Sequence, residues 1–418
     1  MINPASMQKA VEERLEMNKK LLQGLNSLLT IEEVDVALTP KELVYEEDKV
    51  KLYHYKPLVK KDKISPVPTL VSYALVNRQY MMDLQQNRSV VRSWLEQGLD
   101  VYIIDWGYPD KMDKYNTMED YIDGYLNNAV DTVRRLSGQD KINLLGVCQG
   151  GTFCAIYSAL YPEKIRNLVT MVAPIDFDID DGLLNIWSKH LNVDTMVDTF
   201  GVVPGDFMNI GFLMLKPFQL MMDKYVGLLE NIDKPEVVQD FVRMEKWIFD
   251  SPGQAGEAFR KFIKDLYQEN KLIKNEFELG GRKVNLKNIT MPVLNVFAEQ
   301  DHLVPPSSSR PLNKAVGSKD TDVVSFPGGH IGIYVSSKSQ KEVAPAVAKW
   351  LHERSQPEKE TKSQKSSSGS SSSSSSSASS GKAKSTAKAE ESKDSKDSKD
   401  SKESKESKES KESTSSKS

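Results

Sequence analysis

The segment KINLLGVCQGG, residues 141–151, decides the fold that we predict for this chain of 418 residues. It begins with a short apolar run at 142–145, which is typical of a strand buried on both faces of a sheet. Cys148 follows in the pattern G-x-C-x-G, a cysteine version of the G-x-S-x-G turn that presents a nucleophile. Residues 152–161 are rich in alanine, leucine and aromatics and favour a helix. A strand, a tight turn and a helix in this order predict a nucleophile elbow with Cys148 at its tip.

The small residues of this turn fit such an elbow. Gly146, Gly150 and Gly151 have no Cβ atoms, so the strand and the helix can approach closely around Cys148. The N–H groups at the start of the helix favour a thiolate and, later in a reaction, an oxyanion. A purely structural interpretation stays open here, because glycine-rich turns are common and a single cysteine is often a small core residue. We interpret the second cysteine, Cys154, as core, and geometry argues against a disulfide between the two.

Apolar segments alternate with helical patterns along most of the chain. Besides the elbow strand, the predicted strands are 49–55, 68–74, 100–106, 166–173, 292–297 and 322–326. This alternation predicts an α/β fold in which a mostly parallel sheet has helices on both faces. The alternation pauses between 176 and 288, where a helical pattern rich in large apolar residues predicts an inserted cap. We therefore predict an N-terminal helical arm at 1–30, a catalytic core at 31–175 and 289–355, a cap at 176–288, and a tail at 356–418.

Composition limits the class of protein. Residues 356–418 contain serine runs and Ser-Lys-Asp or Ser-Lys-Glu repeats, without any aromatic residue, so we predict a disordered tail. The tail is nearly balanced in charge and the whole chain has a net charge of −3, so nucleic-acid binding is not expected. We find no signal-peptide pattern and no apolar run of about 20 residues that could form a transmembrane segment. These features predict a cytoplasmic protein in a reducing compartment.

Three candidate catalytic residues each follow a predicted strand. Cys148, Asp301 and His330 occur in the order nucleophile, acid, histidine that this type of elbow requires. Because the carboxyl ends of parallel strands share one edge of a sheet, the three side chains should converge there. His330 would accept the thiol proton, and Asp301 would either orient the imidazole or act with it in deprotonating a hydroxyl. His302, next to Asp301, is expected to shape the loop or to support the site from behind.

The choice of a thiol carries chemical information. Displacement of a thioester by a thiol is nearly isoenergetic, which suits reversible transfer of an acyl group from coenzyme A. Simple hydrolysis would not require it. The loop at 75–78, which follows an early strand, would offer an N–H group to the oxyanion of such a reaction.

Three motifs together resemble the polyhydroxyalkanoate (poly-3-hydroxybutyrate) synthases of the α/β-hydrolase superfamily. They are G-V-C-Q-G-G at 146–151, D-H-L-V-P-P at 301–306 and P-G-G-H-I-G at 327–332. The stretches at 73–78 and 244–254 resemble the class III catalytic subunit in particular. The resemblance covers roughly residues 5–355, and the Ser/Lys/Asp/Glu tail departs from the family.

The resemblance implies an acyltransferase that polymerises (R)-3-hydroxyacyl-CoA, typically 3-hydroxybutyryl-CoA, and releases coenzyme A. Cys148 would carry the growing chain as a thioester, and His330 would activate the thiol of Cys148. Asp301 would be the base for the incoming 3-hydroxyl, its alternative role being to orient His330. The N–H groups of Gln149 and Val76 would form the oxyanion hole. The resemblance also implies a homodimer, a small second subunit and location at polyester granules. It implies no metal or prosthetic group, since coenzyme A is part of the substrate.

Two other functions compete with this one. A thioesterase or polyester depolymerase could use the same fold, although such enzymes usually carry serine where this chain has Cys148. A non-catalytic granule-coat protein could use the fold as a platform, but it would not need an intact set of Cys148, Asp301 and His330. Measuring coenzyme A release together with the size of the product distinguishes these possibilities.

Overall fold

The computed structural model describes residues 9, 12–16, 18–20, 22 and 34–356. The described residues of the predicted N-terminal arm are helical, and the remainder of 1–30 lies outside the described residues. The predicted disordered tail also lies outside them, apart from Gln356. All that follows concerns the described part of the chain.

A mixed sheet of eight strands forms the centre of the described chain. The strands are Lys41–Glu47 (β1), Val50–Tyr55 (β2), Thr69–Ser72 (β3), Val101–Asp105 (β4), Ile142–Val147 (β5), Ile165–Met171 (β6), Val293–Ala298 (β7) and Thr321–Phe326 (β8). Their order across the sheet is β1-β2-β4-β3-β5-β6-β7-β8. β2 pairs antiparallel with β1 and β4, and all other neighbours are parallel. The predicted α/β fold with a mostly parallel sheet is therefore confirmed.

The apolar sequences of the central strands follow from their position. Every residue of β3, β4, β5 and β7 is buried, because helices cover both faces of the sheet. The edge strand β1 is instead partly exposed along its whole length. The core thus lies on both sides of β3, β5 and β7, and the carboxyl ends of these strands meet at one edge.

Within residues 34–356, fourteen α-helices connect and cover the strands. Before and around the elbow they are Val90–Glu96 (α1), Asn127–Ser137 (α2) and Gln149–Leu160 (α3). Between β6 and β7 they are Leu183–His190 (α4), Val193–Phe200 (α5), Gly205–Met214 (α6), Lys224–Glu230 (α7), Pro235–Phe249 (α8), Gly256–Lys261 (α9) and Lys271–Lys274 (α10). After β7 they are Pro306–Ser309 (α11), Leu312–Ala315 (α12), Gly332–Val335 (α13) and Ser337–Arg354 (α14). π-helical turns occur at Asp120–Leu126, Phe218–Asp223 and Phe262–Gln268.

Part of the helical region between β6 and β7 is closed at its base by a two-residue ladder. Val202–Val203 pairs antiparallel with Gln254–Ala255, so residues 204–253 leave and return at one point. We call residues 204–253 the lid segment. The crossing is tight: a Cβ atom on Gly205 would lie 1.9 Å from the carbonyl oxygen of Ser251, so only glycine fits there.

The lid segment has little core of its own. Its buried cluster consists of Leu228, Ile232 and Val238. All described residues belong to one compact unit, which includes the cap that the sequence predicts at 176–288. That the cap is a domain of its own therefore stays a prediction. Among the described helices, none combines the length and the apolar character needed to cross a bilayer.

Candidate active site

Cys148 lies between the last residue of β5 and the first residue of α3, at a sharp bend of the backbone. Its φ and ψ angles are 54° and −126°, a conformation that non-glycine residues rarely adopt. The backbone N–H of Cys148 donates to the carbonyl of Met171 at the end of β6, at 2.9 Å. The strained residue is thus held by the neighbouring strand, and its half-buried thiol stands at the carboxyl edge of the sheet.

Three glycines make this bend possible for a steric reason. A Cβ atom on Gly150 would lie 2.3 Å from the carbonyl oxygen of Ser72, and one on Gly146 would lie 2.5 Å from the carbonyl oxygen of Gly150. A Cβ on Gly151 would lie 2.4 Å from the side chain of Ala173. The helix therefore starts in direct contact with β3 and β6, which places its first N–H groups beside the thiol.

Asp301 and His330 follow β7 and β8 and form a buried pair. Oδ2 of Asp301 lies 2.7 Å from Nδ1 of His330. Oδ1 of Asp301 accepts hydrogen bonds from the backbone N–H groups of Leu303 and Val304, each at 2.9 Å. The side chain of Asp301 is 0% exposed and that of His330 is 6% exposed. Both carboxylate oxygens of Asp301 are therefore engaged, one of them by the imidazole.

The imidazole of His330 lies between Asp301 and Cys148. Burial lowers the pKa of His330, but the charges of Asp301 and Cys148, and hydrogen bonds to both, outweigh burial and raise it from 6.5 to about 10. A proton taken from the thiol is thus stabilised on the imidazole at neutral pH. The structure brings together the three side chains that the sequence singled out, in an arrangement suited to nucleophilic catalysis.

The second cysteine differs from the first in its surroundings. Cys154 is completely buried, and burial raises the pKa of its thiol. Both cysteines are free. A thiol in such a setting is inert, in contrast to the half-buried Cys148.

The candidate oxyanion hole lies where the loop after β3 meets the elbow. Gln149 is the first residue of α3, so its N–H has no acceptor within the helix. The N–H of Leu75 donates to Oε1 of the Gln149 side chain at 3.1 Å, so it is already occupied. Val76 comes next in this loop, and its N–H makes no backbone hydrogen bond within the described residues. The assignment of Gln149 and Val76 to an oxyanion hole stays a prediction that this geometry accommodates.

His302 is partly buried beside the pair. Burial and the charge of Lys216 lower its pKa to about 4, against the opposing effect of Asp301. It is therefore neutral at physiological pH, and its side chain makes no hydrogen bond within the described residues. A supporting role for His302 remains a prediction.

A buried tyrosine beside His330, Tyr334, was not predicted from the sequence. Tyr334 is 0% exposed, and its ring lies edge-on to that of His330, with centroids 6.1 Å apart. Its hydroxyl has no hydrogen-bond partner among the described residues. Burial, and the charges of Tyr73, Cys148 and Asp301, raise the pKa of Tyr334 well above its usual range, so it stays a neutral phenol. The only signal in the sequence was its position four residues after His330.

Comparison with family models agrees with this architecture. A model for the alpha/beta hydrolase fold matches residues 81–337. A second model, described as the N-terminus of poly-beta-hydroxybutyrate polymerase, matches residues 3–95.

The chain is also similar to curated proteins over most of its length. It is 54% identical over 346 residues to the poly(3-hydroxyalkanoate) polymerase subunit PhaC of Allochromatium vinosum, which covers 83% of this chain and 98% of that protein. It is 51% identical over 357 residues to the protein of the same name from Synechocystis sp., covering 83% and 94% of the two chains. A solved structure, a soluble variant of the monoglyceride lipase of Saccharomyces cerevisiae, matches with a TM-score of 0.50 and 15% identity, covering 77% of this chain and 98% of that one. The last similarity concerns the fold alone.

Proposed function

This chain belongs to the poly(3-hydroxyalkanoate) polymerase family, and we propose that it is an acyltransferase that polymerises (R)-3-hydroxyacyl-CoA into a polyester with release of coenzyme A. The substrate that we propose is 3-hydroxybutyryl-CoA. One observation carries the proposal: the 54% identity to a polymerase extends over 98% of that relative's length. The thiol at the elbow supports the same chemistry, because it exchanges thioesters without a large loss of free energy.

We infer that the first step is acylation of Cys148. Its thiolate attacks the thioester carbonyl of 3-hydroxyacyl-CoA, and the N–H groups of Gln149 and Val76 stabilise the oxyanion that develops. The carbonyl–sulfur bond to coenzyme A then breaks, and the imidazolium of His330 returns the proton to the departing thiolate. The acyl group remains on Cys148 as a thioester.

Elongation uses the same three side chains. The 3-hydroxyl of the next 3-hydroxyacyl-CoA attacks the thioester on Cys148, and its proton passes to His330. An ester bond forms and the bond between acyl carbon and Cys148 sulfur breaks, which leaves the lengthened chain as a coenzyme A thioester. The regenerated thiolate then attacks this thioester and releases coenzyme A. Each cycle therefore adds one unit and liberates one coenzyme A.

We assign Asp301 the task of orienting His330 rather than that of taking the hydroxyl proton itself. Its side chain is 0% exposed, and each of its oxygens already accepts at least one hydrogen bond from within the protein. Because the side chain of Asp301 is fully buried behind His330, an incoming hydroxyl meets the imidazole before it can reach the carboxylate. The buried carboxylate instead stabilises the imidazolium and fixes which ring nitrogen faces the thiol.

The proposed location is the surface of polyester granules in the cytoplasm, and we propose that the lid segment makes the contact with the polyester. Large apolar side chains that are about half or more exposed lie along α6, the π-helical turn at Phe218–Asp223 and α7: Phe207, Ile210, Met214, Phe218, Met222 and Val226. A set of this size is unusual on a surface that faces only water. A hydrophobic polyester is a partner of matching chemistry.

The remaining partners come from the family resemblance. We propose a homodimer and a small second subunit, and light scattering of the chain alone and of the mixture tests both. No metal or prosthetic group enters the proposed reaction, since a thiol, an imidazole and a carboxylate supply the nucleophile, the base and its orientation. Activity that survives prolonged treatment with a chelator is the expected outcome.

The test of the proposed function measures coenzyme A release from 3-hydroxybutyryl-CoA together with the mass of the product. We expect coenzyme A and high-mass polyester from the wild type, and neither from Cys148→Ala. Cys154→Ala is the matched control, because it removes a buried thiol that takes no part in the reaction, and it should remain active. Coenzyme A accompanied only by free 3-hydroxybutyrate would establish the thioesterase alternative. Granule binding without coenzyme A release, unchanged in Cys148→Ala, would favour the coat protein.

A further inference from the structure

We propose that Asn77 is a positioning residue that fixes the N–H of Val76 at the oxyanion hole by fastening its loop to the end of the lid segment. The inference rests on the proposed function. It concerns an amide side chain whose hydrogen bonds go to Ile248 and Ser251 and to none of the three catalytic groups.

The contacts of Asn77 join two segments that are distant in sequence. Nδ2 of Asn77 donates to Oγ of Ser251 at 2.6 Å and lies 3.3 Å from the carbonyl oxygen of Ile248. The hydroxyl of Ser251 donates to the same carbonyl at 3.0 Å. One amide group thus holds the carboxyl end of α8 and the turn that follows it.

The backbone of Asn77 explains why asparagine stands there. Its φ angle is 60°, in the left-handed region that asparagine tolerates better than most side chains. Glycine would accept this conformation but could not make the two contacts. Asparagine combines the turn and the clamp in one residue.

Two residues that follow Asn77 in the same loop are tied to the same end of α8. Nε1 of Trp247 donates to the carbonyl oxygen of Arg78 at 2.8 Å, and the hydroxyl of Tyr80 donates to Asp250 at 2.9 Å. The guanidinium of Arg78 is bound in turn to Asp105 at the end of β4, at 2.7 Å. A movement of the lid segment would therefore move several residues of this loop with it.

The other side of Val76 is tied to the elbow. The N–H of Leu75 donates to Oε1 of Gln149, and Nε2 of Gln149 lies 3.4 Å from Oε1 of Gln254 in the ladder that closes the lid segment. Val76 is thus the one residue between two fastened neighbours. A shift of the turn around Ser251 would move its N–H relative to the substrate carbonyl.

The size of the effect follows from what an oxyanion donor contributes. Complete removal of one such donor costs about 10²–10³-fold in kcat. Releasing the clamp leaves the donor in place but badly aimed, so we expect Asn77→Gly to lower the rate of acylation roughly 10–100-fold. Because the donor acts on the transition state, KM should change little.

The experiment compares Asn77→Gly, Ser251→Ala and the double variant in single-turnover release of coenzyme A from 3-hydroxybutyryl-CoA. Alkylation of Cys148 by iodoacetamide is measured in parallel, because it requires the thiolate but no oxyanion donor. We expect slower acylation, unchanged alkylation, and a double variant no slower than Asn77→Gly, since both changes remove the same contact. Asn275→Gly is the matched control: Asn275 has a φ of 56° and a side-chain hydrogen bond to Leu286, yet lies on another loop.

Each outcome has a definite meaning. Wild-type acylation in Asn77→Gly, fully additive effects in the double variant, or an equal loss of alkylation and acylation would overturn the clamp. A wild type that releases no coenzyme A even in the presence of the small second subunit refutes the proposed function itself, so the two failures are distinguishable. Melting temperatures of all variants separate a local effect from general destabilisation.

Discussion

Replacing Asp301 by asparagine should remove most of the activity and leave the protein folded. Oδ1 of Asp301 accepts two backbone N–H groups, from Leu303 and Val304. An amide NH₂ cannot accept these bonds, so the asparagine must keep its oxygen there and turn its NH₂ toward Nδ1 of His330. The ring then carries its proton on the other nitrogen, which faces Cys148 and can no longer take the thiol proton.

The expected magnitude follows from the same contacts. In Ser-His-Asp triads this exchange costs about 10⁴-fold in kcat through the wrong tautomer. A thiol ionises more readily than a hydroxyl, which softens the loss. We therefore expect a decrease on the order of 10³–10⁴-fold, about 4–5.5 kcal/mol in the activation barrier.

Rapid mixing with 3-hydroxybutyryl-CoA resolves the first release of coenzyme A from later ones. If Asp301 orients His330, both the first release and the following turnovers slow to a similar extent in Asp301→Asn. The exposed Asp62 on the 3₁₀ turn at Lys61–Lys63 provides the control Asp62→Asn, which should behave as the wild type. A full first release followed by slow turnovers would mean that Asp301 deprotonates the hydroxyl. Wild-type rates in both phases would remove Asp301 from the mechanism.

Three further predictions concern pH, the elbow and the lid segment. The pKa of His330 is raised from 6.5 to about 10, so its stabilising contribution is complete below about pH 6.5 and is lost as pH rises through 10. The free energy of unfolding, measured with urea, should accordingly fall between pH 7 and 10, and it should fall less steeply in Cys148→Ala. Equal pH dependence in the two proteins would contradict the electrostatic interaction between His330 and Cys148. Gly150→Ala should cost about 3 kcal/mol or more, because its Cβ would meet backbone oxygens at 2.3 and 2.5 Å. Gly211→Ala, where nothing lies within 4 Å, should be neutral or stabilising, and similar losses in both would refute the steric argument. Changing the exposed Ile210 and Phe218 together to serine should weaken binding to polyester granules about tenfold or more, with the first release of coenzyme A unchanged. Leu136→Ser on α2 is the control, and equal granule binding by all variants would exclude the lid segment as the contact surface.

Buried strands were the most predictable part of the fold. β7 was predicted at 292–297 and lies at Val293–Ala298, because a strand covered on both faces must be continuously apolar. β1, Lys41–Glu47, was not predicted. Its sequence is mostly charged, it lies at the sheet edge, and the tight turn after it has Asp48 rather than glycine at a φ of 52°. β1 is ordered by its pairing with β2, and the residue pattern of β1 itself does not predict that pairing.

The three catalytic residues could be predicted from the sequence, whereas the hydrogen bonds that hold the surrounding loops could not. Cys148, Asp301 and His330 each follow a recognisable strand, so chain order and topology place them at one edge. The hydrogen bond between the Gln149 side chain and the N–H of Leu75 joins residues that are 74 positions apart. No local sequence pattern predicts such a bond. Contacts of this kind depend on how the loops meet after the sheet has formed.

The position of β7 in the sheet has a consequence for synthesis of the protein. β6 pairs with β7, yet the ribosome makes about 120 residues between them, which takes roughly 6–24 s at about 5–20 residues per second. During that interval β6 has one edge without its partner, while the apolar helices of the lid segment are emerging. An unpaired apolar edge is a site for wrong pairing with another chain. The nascent chain should therefore depend on chaperones most strongly in this window, and a ribosome stalled just before β7 should yield the most aggregation-prone intermediate.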